Sequence, residues 1–399
     1  MNRLYETLLR EHLKDNRQIA MLTGPRQVGK TTSARSGAGR HHYYSWDRQS
    51  DRLTITRGQD SLAEDLGLNR LLSYPLHVVL DEIHKYRSWR TFLKGFFDVY
   101  GDRTRIVVTG SALLGFFRRG GDSLMGRYFP YRMHPLSVAE LACTAIAENP
   151  VRAPVQPERE TIDRLLRFGG YPEPFLKGTT RFYNRWKRVH GELLFREDLR
   201  DLTRFQEVGQ MEALGHLLAS RAGQQVNMSH LALDVNVSVD TIRRWLAALE
   251  ALFYSFTLRP WTPNISKTLR KQPKIYLWDW SLVPEEGARA ENFIASHLLK
   301  AVHWWTDIGL GSFELFYLRD KAQREVDFAV IRNGKPWFLV EAKSSGRRSV
   351  SPALAYFQQQ TGAAHAFQAA MDLPYIEADC FERNEPTIVP AATLLSQLV

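Results

Sequence analysis

The chain has 399 residues, more than one compact domain of the usual ~100–200 residues needs, so two or three domains are expected. Hydrophobic residues make up 44% and charged residues 24%, which excludes wholesale disorder, and Lys+Arg 53 against Asp+Glu 43 leaves a formal +10 that attracts polyanions such as nucleic acid. Cys143 and Cys380 lack ligand neighbours at metal spacing, and no apolar run approaches a membrane span of ~18 residues, so neither structural zinc nor a membrane anchor is expected and the chain reads as cytoplasmic.

The first ~140 residues alternate short β-rich runs with helical patterns, the signature of a parallel α/β sheet. The expected strands are Ile19–Leu22, His42–Ser45, His77–Leu80, Arg105–Val108 and Tyr128–Met133. Between the first strand and the next helical pattern lies GPRQVGKTT, comprising Gly24, Pro25, Arg26, Gln27, Val28, Gly29, Lys30, Thr31 and Thr32. Gly24–Thr31 fits GxxxxGK[ST] in the strand-loop-helix setting that a phosphate-binding loop requires. Its backbone N–H groups would cradle ATP phosphates, Lys30 would reach the β/γ oxygens, and Thr31 would offer a hydroxyl to Mg²⁺.

LHVVLDE supplies the carboxylates such a loop needs at the end of a buried strand. Asp81 is expected to hold Mg²⁺ and Glu82 to polarise the attacking water. RIVVTGSA is a further buried strand with a polar tip, where Ser111 is the expected γ-phosphate or water sensor and Thr109 its competitor. Arg127, in GDSLMGRYFP, is the candidate arginine finger toward its own or a neighbouring subunit.

Taken together, GPRQVGKTT, LDEIHKYRSW, TGSA, SLMGR, PLSVAEL and GGYPEP resemble the bacterial and archaeal ATPases in which an AAA-type domain precedes a C-terminal domain of uncertain function. The resemblance implies a phosphate loop, Asp-Glu strand, sensor and arginine at Gly24–Thr31, Asp81 with Glu82, Ser111 and Arg127. It further implies an AAA-type P-loop core over 1–145, followed by a linker and helical lid over 146–210. Homo-oligomers through the ATPase domain are permitted by Arg127 without being required.

Residues 211–265 give three helical stretches with a turn at Asn236-Val237-Ser238, expected to be a winged-helix-like domain. Its last helix would be capped by Ser238 or Asp240, bury Ile242, Trp245, Leu246 and Leu249, and present Arg243 and Arg244 to DNA. Beyond it Arg259, Lys267, Arg270, Lys271 and Lys274 form a basic stretch, in which Lys267, Arg270 and Lys271 are the expected nucleic-acid contacts.

Over 266–399 the order αβββαβ resembles the restriction-endonuclease core. Glu291 on the helix, Asp327 on the second strand and Glu341 on the third would bind Mg²⁺, with Lys343 acting on the nucleophilic water. A three-residue loop, Arg332 to Gly334, is expected to pair Asp327 with Leu339 and gather the acidic residues on one face. The alternatives are a solvated face of ion pairs, or an inactive nuclease skeleton serving a nucleotide-controlled regulatory switch that binds a protein partner.

Overall fold

A computed structural model describes residues 1–110, 124–158, 160–198, 207–262, 272–347 and 349–399, with side chains described to 196 in the third of these spans. It separates into two compact units, Met1–His134 with Thr144–Ile146, and Pro135–Cys143 with Ala147–Val399.

In the first unit, α1 (Leu4–Asp15) leads into β1 (Ile19–Thr23), and the phosphate-loop segment then opens α2 (Lys30–Gly37). The remaining elements are β2 (His42–Ser45), α3 (Gln49–Thr56), α4 (Gln59–Asp65), β3 (Leu76–Asp81), α5 (Trp89–Tyr100), β4 (Thr104–Gly110) and β5 (Tyr128–Arg132). All neighbouring strands pair in parallel, in the order β2-β3-β4-β1-β5. Burial explains the choice: β1 is buried at all five positions, as expected for a central strand covered on both faces. Val78, Leu80, Ile106 and Val108 join Leu93 and Phe96 of α5 in one core. In such a sheet the polar groups that can meet a ligand collect at the carboxyl ends of the strands.

The second unit opens with α6 (Val138–Ala142), followed by α7 (Thr161–Phe168), α8 (Pro172–Lys177) and α9 (Thr180–Glu192). Three helices, α10 (Val208–Ser220), α11 (Met228–Asp234) and α12 (Val239–Ala251), precede the antiparallel pair β6 (Ser255–Leu258) and β7 (Lys274–Leu277). Ser238 caps α12 by accepting from Thr241 N at 3.1 Å, and Ile242, Trp245, Leu246 and Leu249 are buried as the periodicity predicts.

The long α13 (Glu286–Asp307) then leads into β8 (Phe313–Arg319), β9 (Glu325–Arg332), β10 (Lys335–Lys343), α14 (Pro352–Thr361), β11 (His365–Ala370), β12 (Thr387–Pro390) and α15 (Ala391–Ser396). Their sheet runs β12-β11-β10-β9-β8, antiparallel on the β8-β9-β10 side and parallel on the other.

The β9–β10 register corrects the expectation from sequence. Arg332 pairs with Lys335 across a two-residue turn, in which Asn333 (φ 51°) and Gly334 (φ 79°) both take the left-handed conformation of tight hairpins. A bulge at Trp337 then shifts the pairing, so that Val340 meets Phe328. Continued by one residue, this register sets Glu341, and not Leu339, opposite Asp327. Trp337 lies in an aromatic group with Trp305, Phe313 and Phe381, which favours the extra residue at that point. Asp327 and Glu341 therefore share a face, but through a bulge rather than a longer loop.

Candidate functional site

At the carboxyl end of β1 the backbone folds into a loop that only particular residues permit. Gly24 has φ 155°, and a Cβ there would sit 2.4 Å from the Met133 carbonyl oxygen. Gly29 has φ 102° and forms the left-handed entry to α2. Buried Arg3 donates to the Val28 carbonyl and the His134 carbonyl, each at 2.7 Å, bracing the loop from α1's N-terminal side. Lys30 is buried, and its ammonium donates to Gly24 O at 2.9 Å and Pro25 O at 2.7 Å. The loop thus brings a fixed cation and the N-terminus of α2 together, an arrangement suited to phosphate oxygens.

Asp81 ends β3 beside this loop. Thr31 Oγ1 donates to Asp81 Oδ1 at 2.9 Å and Tyr43 OH to Oδ2 at 2.8 Å, and Thr109 Oγ1 also donates to Oδ1. Burial, reinforced by the Asp81 bond, pushes the Tyr43 phenol up to about 12, so it remains a donor. Thr31 and Asp81 form a hydroxyl–carboxylate pair of hard oxygen donors that fits Mg²⁺.

Glu82 adopts φ 56°, ψ 25°, an uncommon conformation for a non-glycine residue, and its N–H donates to Thr109 Oγ1 at 3.4 Å. Burial raises the Glu82 carboxyl above its ordinary range, with Lys30 and Lys85 opposing. That makes its carboxylate a stronger proton acceptor. His84 Nε2 lies 3.7 Å from Glu82 Oε2, while burial and then the Lys85 and Lys30 charges lower His84 to about 3, leaving the imidazole neutral.

Of the two sensor candidates, Thr109 contacts both Asp81 and Glu82, whereas Ser111 lies outside the described residues. Arg127 precedes β5 and its carbonyl accepts from Ile19 N at the start of β1. The phosphate loop leaves the other end of β1, so a reach to its own phosphate site, one of the two expectations, is not available to Arg127. Its guanidinium instead pairs with Asp98 at 2.6 Å and 3.1 Å on the surface. Sequence reasoning missed Arg3 and Tyr43, which carry no motif and reach the site only through the fold.

The second unit holds the acidic constellation. Lys274, at the start of β7, is 2.7 Å from Glu325 Oε1, 3.4 Å from Glu291 Oε1 and 3.5 Å from Asp327 Oδ1. Burial opposes its charge, but Glu291, Asp327 and Glu325 outweigh burial and hold the ammonium above its ordinary value. Asp327 is itself raised by burial and then by the Glu291 charge, and its Oδ2 accepts from Ala342 N at 3.0 Å. Glu341 pairs with Lys343 at 2.7 Å. Tyr276 OH donates to Glu291 Oε1 at 2.7 Å.

The expected ligand set of Glu291, Asp327 and Glu341 is therefore not assembled around a vacant centre. Among the described residues no three His, Cys, Asp or Glu side chains are arranged to hold a metal ion. As arranged, this set does not fit Mg²⁺, because a lysine stands among the carboxylates. A cleft of about 340 Å³ runs alongside, lined by Gly287, Glu291, Lys343 and Ser345 among others.

On α12, Arg243 and Arg244 are exposed, with Arg243 paired to Asp240 at 2.8 Å and Arg244 donating to Thr241 Oγ1 at 3.3 Å. Lys267, Arg270 and Lys271 lie outside the described residues. Among the described residues no helix is long and apolar enough to cross a membrane.

The first unit thus has an AAA-type P-loop fold, and residues 16–142 match the family model described as an AAA domain. Residues 159–286 and 286–392 match two domains of unknown function, DUF8612 and DUF4143. The uncharacterized proteins Rv2008c of Mycobacterium tuberculosis and Mb2031c of Mycobacterium bovis are each 26% identical over 348 residues, spanning 84% of this chain and 72% of their own. Among solved structures, the Walker-type ATPase of Pyrococcus abyssi is similar over 71% of this chain and 94% of its own, at 14% identity and a TM-score of 0.44. DnaA from Aquifex aeolicus, solved with AMPPCP bound, is similar over 62% of this chain and 88% of its own, at 14% identity and a TM-score of 0.33.

Proposed function

We propose that the protein binds and hydrolyses ATP, and that nucleic acid, DNA foremost, is the substrate or regulator of that activity. The observation that carries the reading is the convergence of Lys30, Thr31, Asp81, Glu82 and Thr109 at the carboxyl ends of β1, β3 and β4. Lys30 would exchange its two carbonyl partners for β/γ-phosphate oxygens. Thr31 and Asp81 would hold Mg²⁺, which when bound supplies charge against the phosphates. Glu82 would orient a water and accept its proton, and Thr109 would keep Asp81 and Glu82 in fixed relation. Arg127, turned away from its own loop, suits action across a subunit boundary in a homo-oligomer.

The nucleic-acid part rests on the formal +10 charge and on the exposed Arg243 and Arg244 near the start of α12. Three helices followed by a two-stranded ribbon are the element order of a winged helix, with α12 in the recognition position. ATP turnover measured with single-stranded, duplex and junction DNA tests this. We expect stimulation by at least one form, lost in Arg243→Glu/Arg244→Glu. Turnover indifferent to every form, in a wild type that hydrolyses ATP, would remove nucleic acid from the account.

A second reading concerns the C-terminal domain, whose αβββαβ order is that of restriction-endonuclease-like folds. The lysine standing among its carboxylates favours a retained, inactive skeleton in a nucleotide-controlled switch over a Mg²⁺-dependent nuclease.

A further inference from the structure

Lys274 is only 3% exposed, so its charge must be balanced locally, and it touches three acids from two elements: Glu291 of α13 with Glu325 and Asp327 of β9. The Tyr317 ring closes another side, with its centroid 5.6 Å from the ammonium. Next in the register stands Glu341, whose side chain is nine-tenths buried and whose Oε2 has no hydrogen-bond partner among the described residues. Four carboxylates thus crowd a buried place, and among the described residues the cation that reaches three of them is Lys274, supplied by the chain itself. A divalent ion would need those oxygens at about 2.0–2.6 Å and would meet the ammonium's repulsion at close range.

We propose that Lys274 is the resident cation of this cluster, standing where a divalent metal would stand, and that removing its ammonium creates a divalent-cation site from Glu291, Glu325 and Asp327. This deepens the second reading of the C-terminal domain and is independent of the ATPase reading. The lysine reaches the cluster from β7, a strand outside the five-stranded sheet that carries Glu325, Asp327 and Glu341. Tyr276, on the same strand, fixes Glu291 from the neighbouring position on that face. The β6–β7 ribbon is therefore part of the site.

The test counts bound Mn²⁺ by electron paramagnetic resonance on the full, nucleotide-free chain, where ions held near Asp81 form a common background. Asp327→Asn in the wild type should leave the count unchanged. Lys274→Met should add one ion per chain, bound at least about 30-fold more tightly than at the same place in wild type. That factor follows from one charge and two charges about 4 Å apart even at the dielectric of bulk water. The added ion should disappear in Lys274→Met/Asp327→Asn, and Mn²⁺ should raise the melting temperature of Lys274→Met above any shift in wild type. If Lys274→Met does not fold, Lys274→Gln, which keeps a donor, replaces it, and the wild-type comparison with Asp327→Asn stands by itself. Loss of a Mn²⁺ ion from wild type on Asp327→Asn, or a folded Lys274 variant that gains none, would overturn the proposal.

Discussion

Lys300→Met removes the cation at the centre of a buried network in the second unit. Lys300 Nζ donates to Pro135 O at 3.1 Å, Ser137 Oγ at 2.7 Å and Glu140 Oε2 at 2.5 Å, and the paired side chains are 2% and 1% exposed. Beside them His297 Nδ1 donates to Phe293 O at 2.8 Å, which leaves Nε2 to accept from Val138 N at 3.1 Å. Methionine fills most of the lysine's volume, so the main loss is electrostatic: Glu140 stays buried without the Lys300 ammonium 2.5 Å away. Breaking one partner of a buried pair costs about 3–5 kcal/mol. For a cooperative unit of this size, that lowers the melting temperature by about 6–20 °C. The assay is a double-mutant cycle by thermal and urea unfolding, in which Lys300→Met/Glu140→Gln should recover most of the loss. A single variant within about 1 kcal/mol of wild type, or a double variant no more stable than the single one, would refute the network's role in anchoring α6 to α13.

Thr109→Val deletes a hydroxyl bound to the Asp81 carboxylate and the Glu82 N–H; at about 1.5–3 kcal/mol for a hydrogen bond to a charged group, ATP turnover should fall roughly 10–100-fold. Nucleotide affinity, followed by fluorescent-analogue titration, should stay within about threefold. Burial raises Asp279 to about 6 in the folded chain, above its unfolded value, so between about pH 4 and pH 6 the folded state binds more protons. Stability should therefore fall as pH rises through that window, and urea midpoints of Asp279→Asn should lack this component. A variant whose midpoints keep the wild-type slope there would assign the pH dependence elsewhere.

Sequence alone exposed the parts that depend on local spacing. Gly24–Thr31 reads as a phosphate loop because its glycine positions and lysine are contiguous, and Asp81 with Glu82 reads as a strand end because apolar residues run up to it. What sequence could not reveal depends on contacts between distant segments. Tyr43 reaches Asp81 because β2 lies beside β3, and Arg3 braces Val28 from the opposite end of the first helix. The role of Ser137 and Glu140 in PLSVAEL becomes visible only once Lys300, more than 150 residues later, is placed beside them. The β9–β10 hairpin shows a subtler gap. Apolar alternation identified the correct shared face, but alternation is blind to a shift of two residues, one of which comes from the two-residue turn and the other from the Trp337 bulge. Lys274 read as one more basic residue in a positive stretch because burial, which turns it into an internal counter-ion, leaves no local mark.

The proposed function divides nucleotide binding and turnover between Lys30 and Glu82. Nucleotide affinity and single-turnover hydrolysis, measured together on wild type, Lys30→Ala and Glu82→Gln, test it most directly. Lys30→Ala should lose tight ATP binding, while Glu82→Gln should bind ATP as wild type does and turn over about 100-fold or more slowly. Equal loss of affinity in both variants, or undiminished turnover in Glu82→Gln, would contradict it.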